Sequence, residues 1–218
     1  MAQLFPKSAN YLAPASIAAL VLVAGGAVGS LLALDYAGFN QRRGETVEQP
    51  VPFSHEHHVA GLGIDCRYCH TAVEKSASAG VPPTSTCYNC HKIVWNEAPM
   101  LEPVRSSYRT GQPIEWNKVH DLPDFTYFNH SIHVAKGMGC ATCHGPVHQM
   151  RLMRSAQPIQ MRWCLECHRN PEKFIRPKEE IYNMTWKAKD QEALGRELVE
   201  KYEVRPPAEI TSCGTCHR

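Results

Sequence analysis

Apolar residues along the 218-residue chain concentrate in one N-terminal block. Tyr11–Leu34 reads YLAPASIAALVLVAGGAVGSLLAL, and no charged side chain occurs from Ser8 to Leu34. As a helix this stretch rises about 36 Å, enough to cross a hydrocarbon layer of about 30 Å. It exceeds the roughly 7–15 apolar residues of a signal peptide. The pattern therefore predicts a single uncleaved transmembrane helix over residues 11–35, preceded by a short N-terminus at 1–10. Its small residues (Ala24, Gly25, Gly26, Ala27, Gly29, Ser30) suit close packing against another membrane helix.

Beyond the block, apolar residues come in short groups broken by proline and polar runs. Residues 36–52 read as a polar linker. Turn signals stand at Gly111-Gln112-Pro113, Leu122-Pro123-Asp124, Asn170-Pro171 and Arg176-Pro177. Trp186–Tyr202 carries Leu194, Leu198 and Tyr202 at helical spacing and predicts an amphipathic helix. The chain has 16 prolines and 8% aromatic residues, and much of its 43% hydrophobic content lies in the N-terminal block. What remains is too polar for a large side-chain core. The formal charge of +2 has no basic stripe, which argues against nucleic-acid binding.

The cysteines change the picture. All ten fall in five motifs of one form, Cys-x-x-Cys-His: Cys66–His70, Cys87–His91, Cys140–His144, Cys164–His168 and Cys213–His217. On one turn of helix, positions i, i+3 and i+4 share a face. Cys66 and Cys69, Cys87 and Cys90, Cys140 and Cys143, Cys164 and Cys167, and Cys213 and Cys216 can then each form two thioethers to a porphyrin edge. The following histidine reaches the iron from the same side. This spacing is the attachment signature of c-type haem. Zinc sites also use Cys-x-x-Cys pairs, but zinc gives no reason for a histidine after each second cysteine. A thioredoxin-like pair would be single and set in a βαβ unit. The expectation is five covalent haem c groups acting as the core. The fold expected is a multihaem cytochrome c: mostly short α-helices and irregular coil wrapped around haems, little sheet, plus one N-terminal transmembrane helix.

The motifs lie in a duplication. FSHEHHVAGLGIDCRYCH, from Phe53, and FNHSIHVAKGMGCATCH, from Phe128, align with one deletion and define a repeat of about 75 residues. Each copy has a Phe-x-His-x-x-His head and two motifs. The expected organisation is a first dihaem module and connector at 53–127, a second dihaem module at 128–177, and a helix with the fifth motif at 178–218. The proximal iron ligands are His70, His91, His144, His168 and His217. Two histidines at i, i+3 can each bind an iron but hardly the same one, so His55, His58, His130 and His133 are distal candidates. His57 has no counterpart, since Ile132 stands in its place. His120 is the first choice for the fifth distal ligand. Further candidates are His148, Met150, Met153, Met161 and Met184; a His/Met haem would sit at higher potential than bis-His neighbours.

The Phe-x-His-x-x-His heads resemble the class III, c7-type multihaem cytochromes. The strings GIDCRYCH, AGVPPTSTCYNCHKIVW, KVHDLPDFTYFNHSIHV, CATCHGPVHQM and MRWCLECHRNPEKF resemble more closely the pentahaem cytochrome subunit of bacterial alternative complex III. That resemblance implies a subunit of a quinol-oxidising membrane complex that passes electrons to a cytochrome c or terminal oxidase. The implied partners are an iron–sulfur subunit of molybdopterin-enzyme fold, polytopic quinol-site subunits and a monohaem cytochrome c. Related cytochromes serve menaquinone reductase complexes, with electrons running the other way. Haem attachment implies export, so the haem domain is expected in the periplasm of a bacterial inner membrane. Lys7 precedes the helix and Arg42 and Arg43 follow it, a bias toward the opposite orientation that a large exported domain overrides.

The expectation is an electron-transfer subunit, not catalytic by itself. Irons with both axial sites filled have no room for substrate, leaving outer-sphere electron transfer. Two rivals stand beside this reading. Pentahaem nitrite reductases carry a lysine in place of one motif histidine, whereas all five motifs here end in histidine. A membrane-anchored quinol dehydrogenase acting directly would need a quinone pocket, which a single anchor and polar linker do not suggest.

Overall fold

The computed structural model describes residues 5–37 and 43–217, in two compact units, Met1–Arg43 and Gly44–Arg218. In the first, α1 spans Ala9–Tyr36, with none of its residues buried. At 28 residues it is about 42 Å long, so it is long and apolar enough to cross a membrane. Of the expected linker, residues 38–42 lie outside the described residues.

The second unit is a string of short helices: α2 Cys66–Cys69, α3 Thr84–His91, α4 Glu102–Thr110, α5 His130–Ala135, α6 Cys140–His144, α7 Met161–Arg169, α8 Gln191–Lys201, α9 Pro207–Ile210 and α10 Cys213–Cys216. A π-helical turn covers Glu56–Gly61, and 3₁₀ turns occur at Pro99–Leu101, Val147–Gln149, Pro171–Lys173 and Lys178–Glu180. No strand occurs among the described residues; pairing is limited to isolated bridges at Thr46–Arg154 and Met138–Ile175. This is the helix-and-coil architecture expected of a multihaem cytochrome c.

The side-chain core is small. Val51, Leu101 and Val104 form one buried cluster, with Tyr88 and Trp116 against it. Other buried apolar side chains, such as Met150, Ile175, Ile181 and Leu198, are dispersed along the chain. The later part of the linker belongs to this packing. Gly44 N–H donates to Ser155 at 2.8 Å, Gln49 bonds the backbone of Asn117 at 2.8 Å, and Val51 is buried.

Two expectations need adjustment. The helix expected at 186–202 begins only at Gln191, because the Asp190 side chain accepts from Ala193 N–H at 3.0 Å and caps it there. Gly195 then lets α8 lie on the 171–173 turn, where a Cβ would stand 1.8 Å from the Glu172 carbonyl oxygen. The connector 92–127 also contains α4, closed by Gly111 at φ +74°, a left-handed C-cap.

The duplication is visible atom by atom. Phe53 meets His55 edge-on at 4.9 Å and lies over His58 at 4.4 Å; Phe128 meets His130 edge-on at 4.8 Å and lies over His133 at 4.5 Å. Ile64 N–H donates to His58 O at 3.1 Å, and its counterpart Met138 N–H donates to His133 O at 2.9 Å. The first loop therefore closes on the same carbonyl with one more residue. That residue is absorbed where the first head forms a π turn and the second an α turn, the usual way a helix accommodates a single insertion.

Candidate haem centres

Each Cys-x-x-Cys-His motif lies on or ends a short helix: α2, α3, α6, α7 and α10. This places both thiols and the histidine on one side, as the spacing predicts. Local sequence starts these helices. Asp65 caps α2 by accepting from Arg67 N–H at 2.8 Å, and Asn129 caps α5 by accepting from Ser131 N–H at 2.9 Å.

The histidines are oriented by backbone carbonyls. His70 Nδ1 donates to Gly80 at 2.8 Å, His91 to Val94 at 3.0 Å, His168 to Ile210 at 2.8 Å and His217 to Phe125 at 3.0 Å. In the heads, His58 Nδ1 donates to Ser54 at 2.8 Å, His133 to Asn129 at 2.7 Å and His130 to Ala77 at 2.8 Å. A carbonyl can only accept, so Nδ1 carries the proton and Nε2 keeps a free lone pair. This carbonyl-anchored arrangement is typical of metal-binding imidazoles.

Three pairs of rings have a telling separation. His58 and His91 have centres 6.2 Å apart, His130 and His144 6.3 Å, and His133 and His168 6.1 Å. An imidazole nitrogen binds a metal at about 2 Å and the ring centre lies about 1 Å further back, so two imidazoles on opposite sides of one iron have centres roughly 6 Å apart. Each pair joins a head histidine to a motif histidine. The two head residues of the second repeat face different motifs, as one helical face with an i, i+3 pair requires.

The other candidates are placed as follows. His55 is half-buried, its Nδ1 is buried without a partner, and the imidazoles of His70 and His58 act on its charge. His120 lies 4.6 Å from His144, edge-on, closer than two imidazoles flanking one iron, and its Nε2 is buried without a partner. His148 sits in the 147–149 turn with Nδ1 buried and unpartnered. Met150 is wholly buried, Met161 is 66% exposed, and Met153 and Met184 are half-buried. The structure brings none of these four against a motif histidine by a described contact. His57 stacks on Trp95 at 5.6 Å instead of joining a motif histidine.

Burial sets the charge states. It pushes the Cys140 thiol up to about 11 and the Cys143 and Cys167 thiols up to about 12, which holds them protonated. Among the described residues no three Cys, His, Asp or Glu side chains converge on a metal site. None of the ten cysteines is taken up in a disulfide. Burial, with His120 and His130 next, lowers His144 to about 3; burial, with His70 next, lowers His55 to about 4. Both stay neutral at pH 7, the form that binds iron. Paired cysteines on one helix turn, imidazoles anchored through Nδ1 and three ring pairs about 6 Å apart fit haem c.

Sequence reasoning missed Arg176. Its guanidinium is buried beside Cys140, donates to Asn183 O at 3.1 Å, and lies 5.1 Å from the Trp186 ring. Its signal was Gly139, which stands where the first repeat has Asp65; a Cβ there would come within 2.2 Å of Arg176. The carbonyls that orient the histidines left no signal, since any residue supplies one.

Residues 126–218 match the family model described as cytochrome c7 and related cytochrome c. The chain is 30% identical to "Menaquinone reductase, multiheme cytochrome c subunit" of Nitratidesulfovibrio vulgaris (strain Hildenborough), across 56% of this chain and 69% of that protein. The chain belongs to the multihaem cytochrome c family, whose members carry covalently bound haem c and transport electrons.

Proposed function

We propose that this chain is a five-haem electron-transfer subunit of a membrane complex that exchanges electrons with the quinone pool. The observation that carries this reading is the set of three head-to-motif ring pairs at 6.1–6.3 Å. They support irons closed on both sides by histidine, with no site for substrate. Bound haem supplies the Fe(III)/Fe(II) couple. The chain's own residues do the rest. Cys66, Cys69 and their counterparts fix each porphyrin. His70, His91, His144, His168 and His217 are the proximal ligands; His55, His58, His130 and His133 are distal ligands, and the fifth comes from His120 or His148. The carbonyls of Gly80, Val94, Ile210 and Phe125 fix four of the motif rings, and burial keeps His144 neutral.

In this proposal α1 spans a bacterial inner membrane once, with its N-terminus in the cytoplasm and the haem unit in the periplasm. The resemblance to alternative complex III supports quinol oxidation, with this chain carrying electrons to a cytochrome c or terminal oxidase. The partners proposed are those implied by that resemblance: an iron–sulfur subunit, polytopic quinol-site subunits and a monohaem cytochrome c. The second reading, favoured by the name of the Nitratidesulfovibrio relative, has electrons entering through the haems and reducing menaquinone.

The test is quinol-driven haem reduction, comparing the chain alone in detergent with the complex extracted gently from its membrane. Reduction only in the complex is expected. Reduction of the chain alone at turnover rates would mean it binds quinol itself, and the relay reading would be wrong. Quinone reduction by the pre-reduced complex, without quinol oxidation, would select the second reading.

A further inference from the structure

The two repeats meet through equivalent atoms. Ser131 N–H donates to the carbonyl of Ser76 at 3.1 Å, and Glu56 N–H donates to the carbonyl of Met150 at 3.1 Å. Glu56 and Ser131 occupy the same place in the two heads, one residue after the first histidine. Ser76 lies six residues after His70, and Met150 six after His144. Each head therefore docks on the loop that follows the first motif of the other repeat. Two copies joined through the same patch, each giving what it receives, make an isologous contact. Here it is internal to one chain.

This contact brings Cys66–His70 beside Cys140–His144. His130 adds a second bond to the same loop, its Nδ1 donating to Ala77 at 2.8 Å. Tyr182 O–H donates to Glu74 at 2.8 Å, while the neighbouring Ile181 carbonyl accepts from Cys140 N–H at 3.1 Å. One segment thus touches both first motifs. Within each repeat the two motifs share a head, since His58 faces His91, and His130 and His133 face His144 and His168. His168 is tied to Ile210, just ahead of the fifth motif. The outer side of the second motif is occupied by the connector. Tyr88 stacks on Tyr108 at 4.0 Å, and Thr84 bonds Ser107 at 2.7 Å.

We propose that the motifs are ordered in space as Cys87–His91, Cys66–His70, Cys140–His144, Cys164–His168, Cys213–His217, with the second and fifth motifs as the ends of the electron path and the first motif as the junction between the repeats. This rests on the reading that all five motifs carry haem. Each hop along the order moves one electron, oxidising the donor iron and reducing its neighbour, and no bond or proton changes. Electrons leaving the second repeat reach the second motif only through the first.

The test uses the full-length haem-loaded chain with a ruthenium photoreductant tethered at Glu209→Cys, beside the fifth motif. Single electrons are injected and haem reduction is followed in time. In C87A/C90A the four remaining haems should equilibrate as fast as in the parent. In C66A/C69A one haem should drop out of the fast phase, which then holds three. Slowing in the first variant, or four fast haems in the second, would overturn the order. A check without motif substitutions is zero-length carbodiimide cross-linking of the parent. Lys178 lines the same groove as Asp65 and Glu74, and a Lys178–Asp65 or Lys178–Glu74 cross-link within one chain is expected; its absence would overturn the junction. A haem-to-protein ratio below five in the parent would count against the proposed function, and the cross-link would still decide whether the repeats join at the first motif.

Discussion

The rings of His133 and His168 stand 6.1 Å apart, each held from behind by a backbone carbonyl, that of Asn129 for one and Ile210 for the other. Neither nitrogen facing the gap has a protein partner among the described contacts. A His133→Gly substitution removes one side of this pair and leaves the other anchored. It is expected to turn one haem in five high-spin and able to bind carbon monoxide, while four stay low-spin. Electron paramagnetic resonance and carbon monoxide difference spectra check this. An unchanged low-spin count would remove His133 from the ligand set.

The Tyr182–Glu74 bond at 2.8 Å stitches the first motif's loop to the segment beside the third. Tyr182→Phe should cost about 1 kcal/mol, the ordinary net worth of such a bond. Burial, then the Glu74 bond, holds this phenol above its ordinary value of 10.0. A group raised on folding stabilises the fold fully below its unfolded pKa and loses that contribution as pH rises through the folded one. The difference between parent and Y182F should therefore be constant below pH 10 and shrink above it. Thermal unfolding at several pH values reads this directly, and a difference that grew above pH 10 would contradict it.

Gly195 lies where α8 touches the turn at Glu172, with space for no Cβ. Gly195→Ala must push α8 from that turn and should destabilise by about 1–3 kcal/mol, as overpacking does. The haem content and the spectra of the other centres should not change. A variant as stable as the parent in denaturant titration would show that the contact is not close-packed.

Asn129 starts α5, which carries both His130 and His133. Asn129→Ala should cost about 0.5–2 kcal/mol, the range for a lost N-cap. Asn129→Asp keeps an accepting oxygen and should recover most of it. Equal losses in the two variants, measured by thermal unfolding, would mean that the cap does not hold this turn.

Much of the centres was legible in the chain. Five Cys-x-x-Cys-His motifs announce themselves, and the two Phe-x-His-x-x-His heads announce the duplication. The gap between the repeats was legible as a one-residue deletion, but its conversion into a π turn depends on which carbonyl closes the loop. The spatial order of the motifs was not legible, because the contacts that fix it run through backbone atoms of Ser76, Ala77 and Met150, where side-chain identity carries no signal. The expected helix ran back to Trp186, whereas its apolar spacing begins only at Leu194 and the Asp190 cap decided the boundary. Helix α4 was missed because a polar, proline-containing connector gave no apolar stripe beyond Val104.

The central claim is that every iron is closed on both sides by the chain. It is tested most directly by counting low-spin and high-spin haems in the full-length protein, by electron paramagnetic resonance against total haem per chain. Five low-spin haems per chain, with no carbon monoxide uptake, is the predicted result. Fewer than five haems, or several high-spin haems that bind carbon monoxide, would contradict the account and point to an iron that meets substrate.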